Sequence, residues 1–285
     1  MTSISSDNAV NSRMIRISVL VMILWLFSCI QVDASGHGPL FALSTPTNAD
    51  GQWSIDFATL TIRDQENTGA VFRSVLSYGI TDSVMLSAST PFIAGQTESL
   101  TPALGSYEGF VTWRFQKSNR GIGSRYESTV FGGIIYPADQ FGALRAIEKS
   151  AGFQIGGCTG LISRSHYLWA GLSYTAFQEN DGDKRPNLIF YSLAWGHRPD
   201  SWRKDYPAWD WRYFIEATGE KFGDLQFDGF TAVDSDEHQI MIGPALLGQY
   251  KWIAVEAGFQ VAVYRNTGLD TGERFRLGLT GVLYF

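Results

Sequence analysis

Two stretches near the C-terminus alternate apolar and polar residues over the length of a membrane-crossing strand, and this pattern narrows the fold more than any other feature. From Trp252 to Tyr264 the odd positions are Ile253, Val255, Ala257, Phe259, Val261 and Val263, while the even ones include Ala254, Glu256, Gly258, Gln260 and Ala262. One face is therefore apolar over about eleven residues, which suits a tilted transmembrane β-strand. The last segment repeats the pattern. Phe275, Leu277, Leu279, Leu283 and Phe285 share one face, and Arg276, Gly278, Thr280 and Tyr284 the other. In a soluble sandwich the apolar face turns inward; in an outer-membrane barrel it turns to lipid. Alternation fits both. A leader-like N-terminus, aromatic strand ends and the terminal Phe285 favour lipid.

Further strands are expected near 52–63, 69–80, 83–94, 107–117, 125–137, 152–163, 166–178, 187–197, 211–222 and 238–249, then 252–264 and 274–285. This predicts an all-β chain, an antiparallel up-and-down transmembrane β-barrel of about 12 strands, the even number that places both termini in the periplasm. The connections alternate accordingly. Long external ones are expected at 64–68, 95–106, 138–151, 179–186, 223–237 and 265–273, and short ones at Thr81-Asp82, Arg164-Ser165 and Tyr250-Lys251. Two internal connections, 118–124 and 198–210, are longer than this scheme asks. The second carries Trp202, Tyr206 and Trp209, with Trp211 just beyond it. It reads either as part of an aromatic girdle at the rim or as a misplaced strand.

The one long apolar run, Ile17 to Ile30, follows Arg16 and precedes Val32-Asp33-Ala34. It is short of the roughly 20 residues of a spanning helix and suits a signal peptide cleaved after Ala34. A retained anchor and a lipoprotein modified at Cys29 are the alternatives. Cleavage at Ala34 leaves Cys158 as the lone cysteine, a small strand residue that excludes an internal disulfide and a cysteine metal site. The domains are then 1–34, a signal peptide with an upstream extension; 35–50, an N-terminal periplasmic or lumenal segment; and 51–285, the barrel. Charged residues make up 18% of the chain, below the roughly 25% of ordinary soluble proteins. The net charge of -6 excludes nucleic acid as a partner, since no basic stripe is available to neutralise phosphates.

If apolar faces meet lipid, the inward residues include Asp56, Arg73, Glu108, Arg114, Arg125, Glu127, Arg212, Glu216, Glu220, Glu256, Gln260 and Arg276. An arginine on the lipid face at mid-membrane costs roughly 2–4 kcal/mol, which turns these groups inward. They either line an aqueous path and select solutes or pair into a polar plug that closes the lumen. Roughly 8 strands leave room only for side chains, roughly 16–18 leave a channel, and twelve lies between.

Catalytic motifs are sparse. His37, His166, His197 and His238 sit in the contexts HGP, HYL, HRP and HQI. None forms HExxH or a close metal-binding pair, and none forms the His-x-Ser pair of outer-membrane lipases and deacylases. Glu216 and Glu220 share a face, and Glu108 and Glu127 are expected to be neighbours, so a carboxylate hydrolase is the remaining enzymatic reading. Paired lumen charges explain the same residues with less machinery. Gly132-Gly133 and Gly156-Gly157 lie within strands and relieve crowding there. Asn180 to Asp183 reads as a solvated turn rather than a calcium loop. No cofactor or metal is implied.

The segment GHGPLFALSTPTNADGQWSIDF, Gly36 to Phe57, resembles the start of the MetA-pathway-of-phenol-degradation-like outer-membrane family. The resemblance extends more loosely over the barrel to Leu283-Tyr284-Phe285, a terminus that also resembles the aromatic signal read by the barrel-assembly machinery. It implies a transporter in the bacterial outer membrane, with lipid, that machinery and a small solute as partners. The family's name implies aromatic or hydrophobic solutes, and no set of functional residues carries over. The expected function is passive diffusion of small solutes through a channel. The alternative is a structural or surface-binding barrel with a closed, salt-bridged lumen, and a barrel hydrolase is a third reading. A soluble secreted β-sandwich is the competing fold.

Overall fold

The computed structural model describes residues 38–63, 68–95, 106–137, 150–204, 207–232, 235–267 and 273–285. The predicted leader with its cleavage site, Cys29, His37 and most of the external connections 64–68, 95–106, 138–151 and 265–273 lie outside these residues.

Twelve strands close into one antiparallel barrel in which every strand pairs with its neighbours in sequence. They are β1 (Trp53–Arg63), β2 (Thr68–Thr81), β3 (Val84–Gly95), β4 (Ser106–Gly121), β5 (Ser124–Pro137), β6 (Gly152–Ile162), β7 (His166–Phe177), β8 (Leu188–His197), β9 (Asp210–Phe222), β12 (Glu237–Tyr250), β13 (Ile253–Thr267) and β14 (Phe275–Tyr284). β1 closes the ring on β14, from Ser54 opposite Tyr284 to Arg63 opposite Phe275. Trp53 and Phe285 complete the seam by exchanging backbone hydrogen bonds of 2.8 and 3.0 Å. A closed sheet has no free edge, so no backbone group need face hydrocarbon unpaired. The small strands β10 (Gln226–Phe227) and β11 (Phe230–Thr231) form a separate hairpin in the β9–β12 connection.

Turn chemistry sets the register. Thr81 Oγ1 accepts from the amides of Ser83 and Val84 at the β2–β3 turn. Positive φ at Asp181 and Gly182, and again at Asp228 and Gly229, builds type I′ turns. The two loops they head are joined by backbone bonds between Lys184 and Gln226. The connection expected at 118–124 is in fact a two-residue turn, Ile122-Gly123. β4 and β5 continue toward it through two bulges, with Gly121 opposite Ser124. Sequence alternation is lost at such bulges because an extra residue shifts the faces, so both strands read too short. Among its described residues the connection at 198–210 holds one 3-10 turn, Asp200–Trp202. Trp202 packs edge-on against Tyr213, and Trp209 stacks between Trp211 and Tyr250, so the described part of this loop is an aromatic girdle and not a strand.

The two faces of the wall differ sharply. Phe57, Val111, Ile134, Ile155, Leu172, Leu193, Val263 and Leu279 point outward and are exposed, Leu279 at 57%. The inward positions of β13 and β14, Glu256, Gln260 and Arg276, are buried. A continuous apolar exterior over a polar interior is the inverse of a soluble sandwich, and it marks the outside as lipid-facing. Leu172→Arg, at the middle of β7, is therefore expected to destabilise the folded barrel by about 2–4 kcal/mol in lipid vesicles, read as a shift of the urea midpoint. An unchanged midpoint would mean that this wall meets water.

Candidate functional site

Short turns gather at one rim and long connections at the other. In the short-turn half the lumen is filled by a packed core of Tyr167, Trp169, Phe214, Leu247, Val282 and Tyr284. Tyr167 and Trp169 stack at 5.7 Å, and the Arg212 guanidinium lies 5.3 Å above the Tyr167 ring.

The segment preceding β1 completes this filling. Gly38 lies against Ser44, so the chain doubles back across residues 39–43. At the tip of that fold, the amides of Leu40, Phe41 and Ala42 donate to the Glu216 carboxylate at 2.9, 2.7 and 2.9 Å. Leu43 N donates to Ser192 Oγ at 3.0 Å, and Cys158 Sγ donates to Leu43 O at 3.3 Å. Trp169 Nε1 donates to Thr45 Oγ1 at 3.1 Å, and that hydroxyl donates to Glu127 at 3.2 Å. Thr47 and Asn48 tie the segment to Asp82 O and Ser54 Oγ near the short-turn rim. The wall makes room for it with glycine. A side chain at Gly171 would meet Leu43, and one at Gly278 would meet Leu40 and Phe41. Three converging amides satisfy one buried carboxylate without any cation.

The twelve residues singled out by alternation are all on the interior side but do not form one row. Asp56, Arg73, Glu108, Glu220 and Arg276 line a cavity of about 610 Å³ that runs between residues 40–46 and the wall of β1 to β9 and β14. Its other walls mix Val71, Val75, Phe110, Phe131, Ile135, Leu188 and Phe190 with Ser87, Ser89, Thr112 and Gln154. Arg114, Arg125, Glu127, Arg212, Glu216, Glu256 and Gln260 belong instead to the packed interior or its rim.

All five arginines are paired. Arg73 meets Glu108 at 2.5 Å, where Ser89 also donates to Glu108. Arg114 and Arg125 converge on Glu127 at 3.5 and 2.9 Å. Arg212 meets Asp210 at 2.9 Å. Arg276 is held between Glu220 at 2.9 Å and Glu273 at 2.7 Å, with Gln239 donating to Glu220 at 2.7 Å. Gln260 accepts from Thr218 at 3.0 Å. Glu256 is buried within electrostatic reach of Glu216, Asp56 and Arg212. Asp210, Glu273 and Gln239 complete these pairs and were not among the expected residues. Asp210 begins β9 and Glu273 precedes β14, positions where alternation gives no signal.

One expected neighbourhood is not formed. Glu108 lies opposite Ile135 and Glu127 opposite Lys117 on the same strand pair. The Ile122-Gly123 turn sets that register and holds the two carboxylates well apart. Glu216 and Glu220 do share a face, but each is already engaged, one by amides and the other by Arg276. Two of the four strand glycines relieve crowding as expected: a side chain at Gly133 would collide with the Phe110 ring, and one at Gly156 with Phe131, whereas one at Gly132 would make only ordinary contact.

No family model and no curated protein matches the sequence. Among solved structures the chain is similar to an outer membrane channel from Pseudomonas putida F1, at 12% identity and a TM-score of 0.56, over 85% of this chain and 97% of that one. LpxR from Salmonella typhimurium aligns at 12% identity and 0.46, over 81% and 100% of the two chains. Pseudomonas aeruginosa OccK1 (OpdK) aligns at 8% and 0.41, over 76% of this chain and 56% of its own. The first of these likenesses shows the fold: this chain is a β-barrel of the outer-membrane type.

Proposed function

We propose that the protein is an outer-membrane channel that passes small, partly apolar solutes by passive diffusion. The observation that carries this reading is the cavity beside residues 40–46, whose wall combines phenylalanine and aliphatic side chains with serine and threonine hydroxyls. Such a lining suits a solute with an apolar body and few polar groups. The similar Pseudomonas putida protein is an outer membrane channel, and the resemblance of Gly36–Phe57 to the MetA-pathway family favours aromatic solutes. In this reading the short-turn rim faces the periplasm, the long connections face outside, and the chain arrives by way of a cleaved leader and the barrel-assembly machinery. It carries out no catalysis, because the carboxylates suited to acid–base work are engaged, Glu108, Glu127 and Glu220 by arginines and Glu216 by backbone amides.

Pairing of all five inward arginines favours the second reading, a closed structural barrel. Solute flux separates the two. Liposomes holding the folded protein are expected to take up a small phenol faster than a sugar of similar size, and both faster than protein-free liposomes. Flux of neither solute above the protein-free control would favour the closed barrel.

A further inference from the structure

Two histidines that lie 31 residues apart in sequence meet directly across β7 and β8 at the short-turn rim, His166 opposite His197. Their Nδ1 atoms are 3.3 Å apart and their rings are 4.5 Å apart. Both project from the outer side of the wall where the strands end. His166 is exposed and His197 half-buried, so the pair is reachable from water and separate from the lumen.

An aromatic frame holds the rings. His197 stacks parallel to Trp195 and meets the edge of Tyr213, and His166 leans on Trp195. The His166 backbone is fixed by the turn below, where its amide donates to Ser163 Oγ at 2.9 Å and Ser163 Oγ donates to its carbonyl at 2.9 Å. Two nearby cations are already paired, Arg198 with Asp210 and Arg203 with Asp200. A metal cation approaching the imidazoles therefore meets little net repulsion from them.

The geometry points to a divalent transition-metal site held by His166 and His197, with Zn²⁺ or Cu²⁺ as ligand and water filling the other positions. Two imidazole nitrogens each about 2.0–2.1 Å from a tetrahedral Zn²⁺ lie about 3.3–3.4 Å apart. That is the separation seen here. A shared N–H···N hydrogen bond is the competing account of the pair, and 3.3 Å is long for one. Neutral imidazole is the form that binds metal, and aromatic packing against both rings supplies the orientation that outer-shell partners normally give.

The test uses the tag-free folded barrel in detergent, with the metal salts alone as probes. Calorimetric titration with Zn²⁺ is expected to show one site per chain. His166→Gln and His197→Gln are each expected to weaken it by at least the ~10-fold that loss of an outer-shell partner costs. Cu²⁺ is expected to give a paramagnetic resonance spectrum with splitting from two nitrogens in the wild type and one in either variant. Both residues are at the rim, and heat-dependent gel migration verifies that the variants fold. Absence of stoichiometric binding, or a site that survives both substitutions unchanged, overturns the proposal. Neither outcome bears on solute flux.

Discussion

Deleting residues 38–48 is expected to raise single-channel conductance severalfold while leaving the barrel folded. These residues occupy space between the packed core and the cavity, and no barrel strand includes them. The change should appear in planar bilayers as larger and longer current steps. Glu216→Gln should move the same way with the chain intact. The carboxylate accepts three amides, and hydrogen bonds to a charged acceptor contribute about 1.5–3 kcal/mol each. Glutamine keeps one acceptor oxygen and turns an NH2 group toward a donor. A loss of about 3 kcal/mol would shift the balance of seated and released segment by about two orders of magnitude. The variant should therefore show the larger steps of the deletion more often than the wild type does. If the deletion conducts no better than the wild type, residues 38–48 are not what limits passage.

The largest expected loss of stability comes from Arg276→Met. Arg276 is buried between Glu220 and Glu273. Removing it leaves two carboxylates in the interior with their strongest partner gone, a change that typically costs about 3–5 kcal/mol. The urea midpoint of the refolded barrel should fall accordingly. Replacing Glu220 and Glu273 by Gln in the same chain should restore most of the loss, because neutral groups need no countercharge. If Arg276→Met alone leaves the midpoint unchanged, the triad is ornamental and the interior is wetter than the burial of these residues implies.

Period-two alternation is local, and what depends on it was legible in the residues. The odd and even faces of Ile253 to Val263 fall outward and inward as expected, and all twelve barrel strands lie where the pattern puts them to within a few residues. What depends on register was not. Arg276 finds Glu220 on β9, and Arg73 finds Glu108 on β4, through pairings fixed by turns many residues away. The same holds for His166 and His197. Their placement follows only once β7 and β8 are known to pair end to end, a fact that no motif around HYL or HRP carries. Bulges near Arg114 and Asn119 hid the extension of β4. The segment from Gly38 to Asp50 has no periodicity to read, since six of its amides are satisfied by the side chains of Glu216, Ser192, Gln52 and Asp82 rather than by a ladder.

The claim that a solute passes through the cavity beside residues 40–46 is tested most directly by blocking it. Val75 lines that cavity from β2, and its neighbour Leu76 faces outward and is exposed. In a Cys158→Ser chain, current through Val75→Cys channels should fall sharply when a bulky thiol reagent is added, whereas Leu76→Cys channels should react without losing current. Current that persists through fully modified Val75→Cys channels would contradict the account.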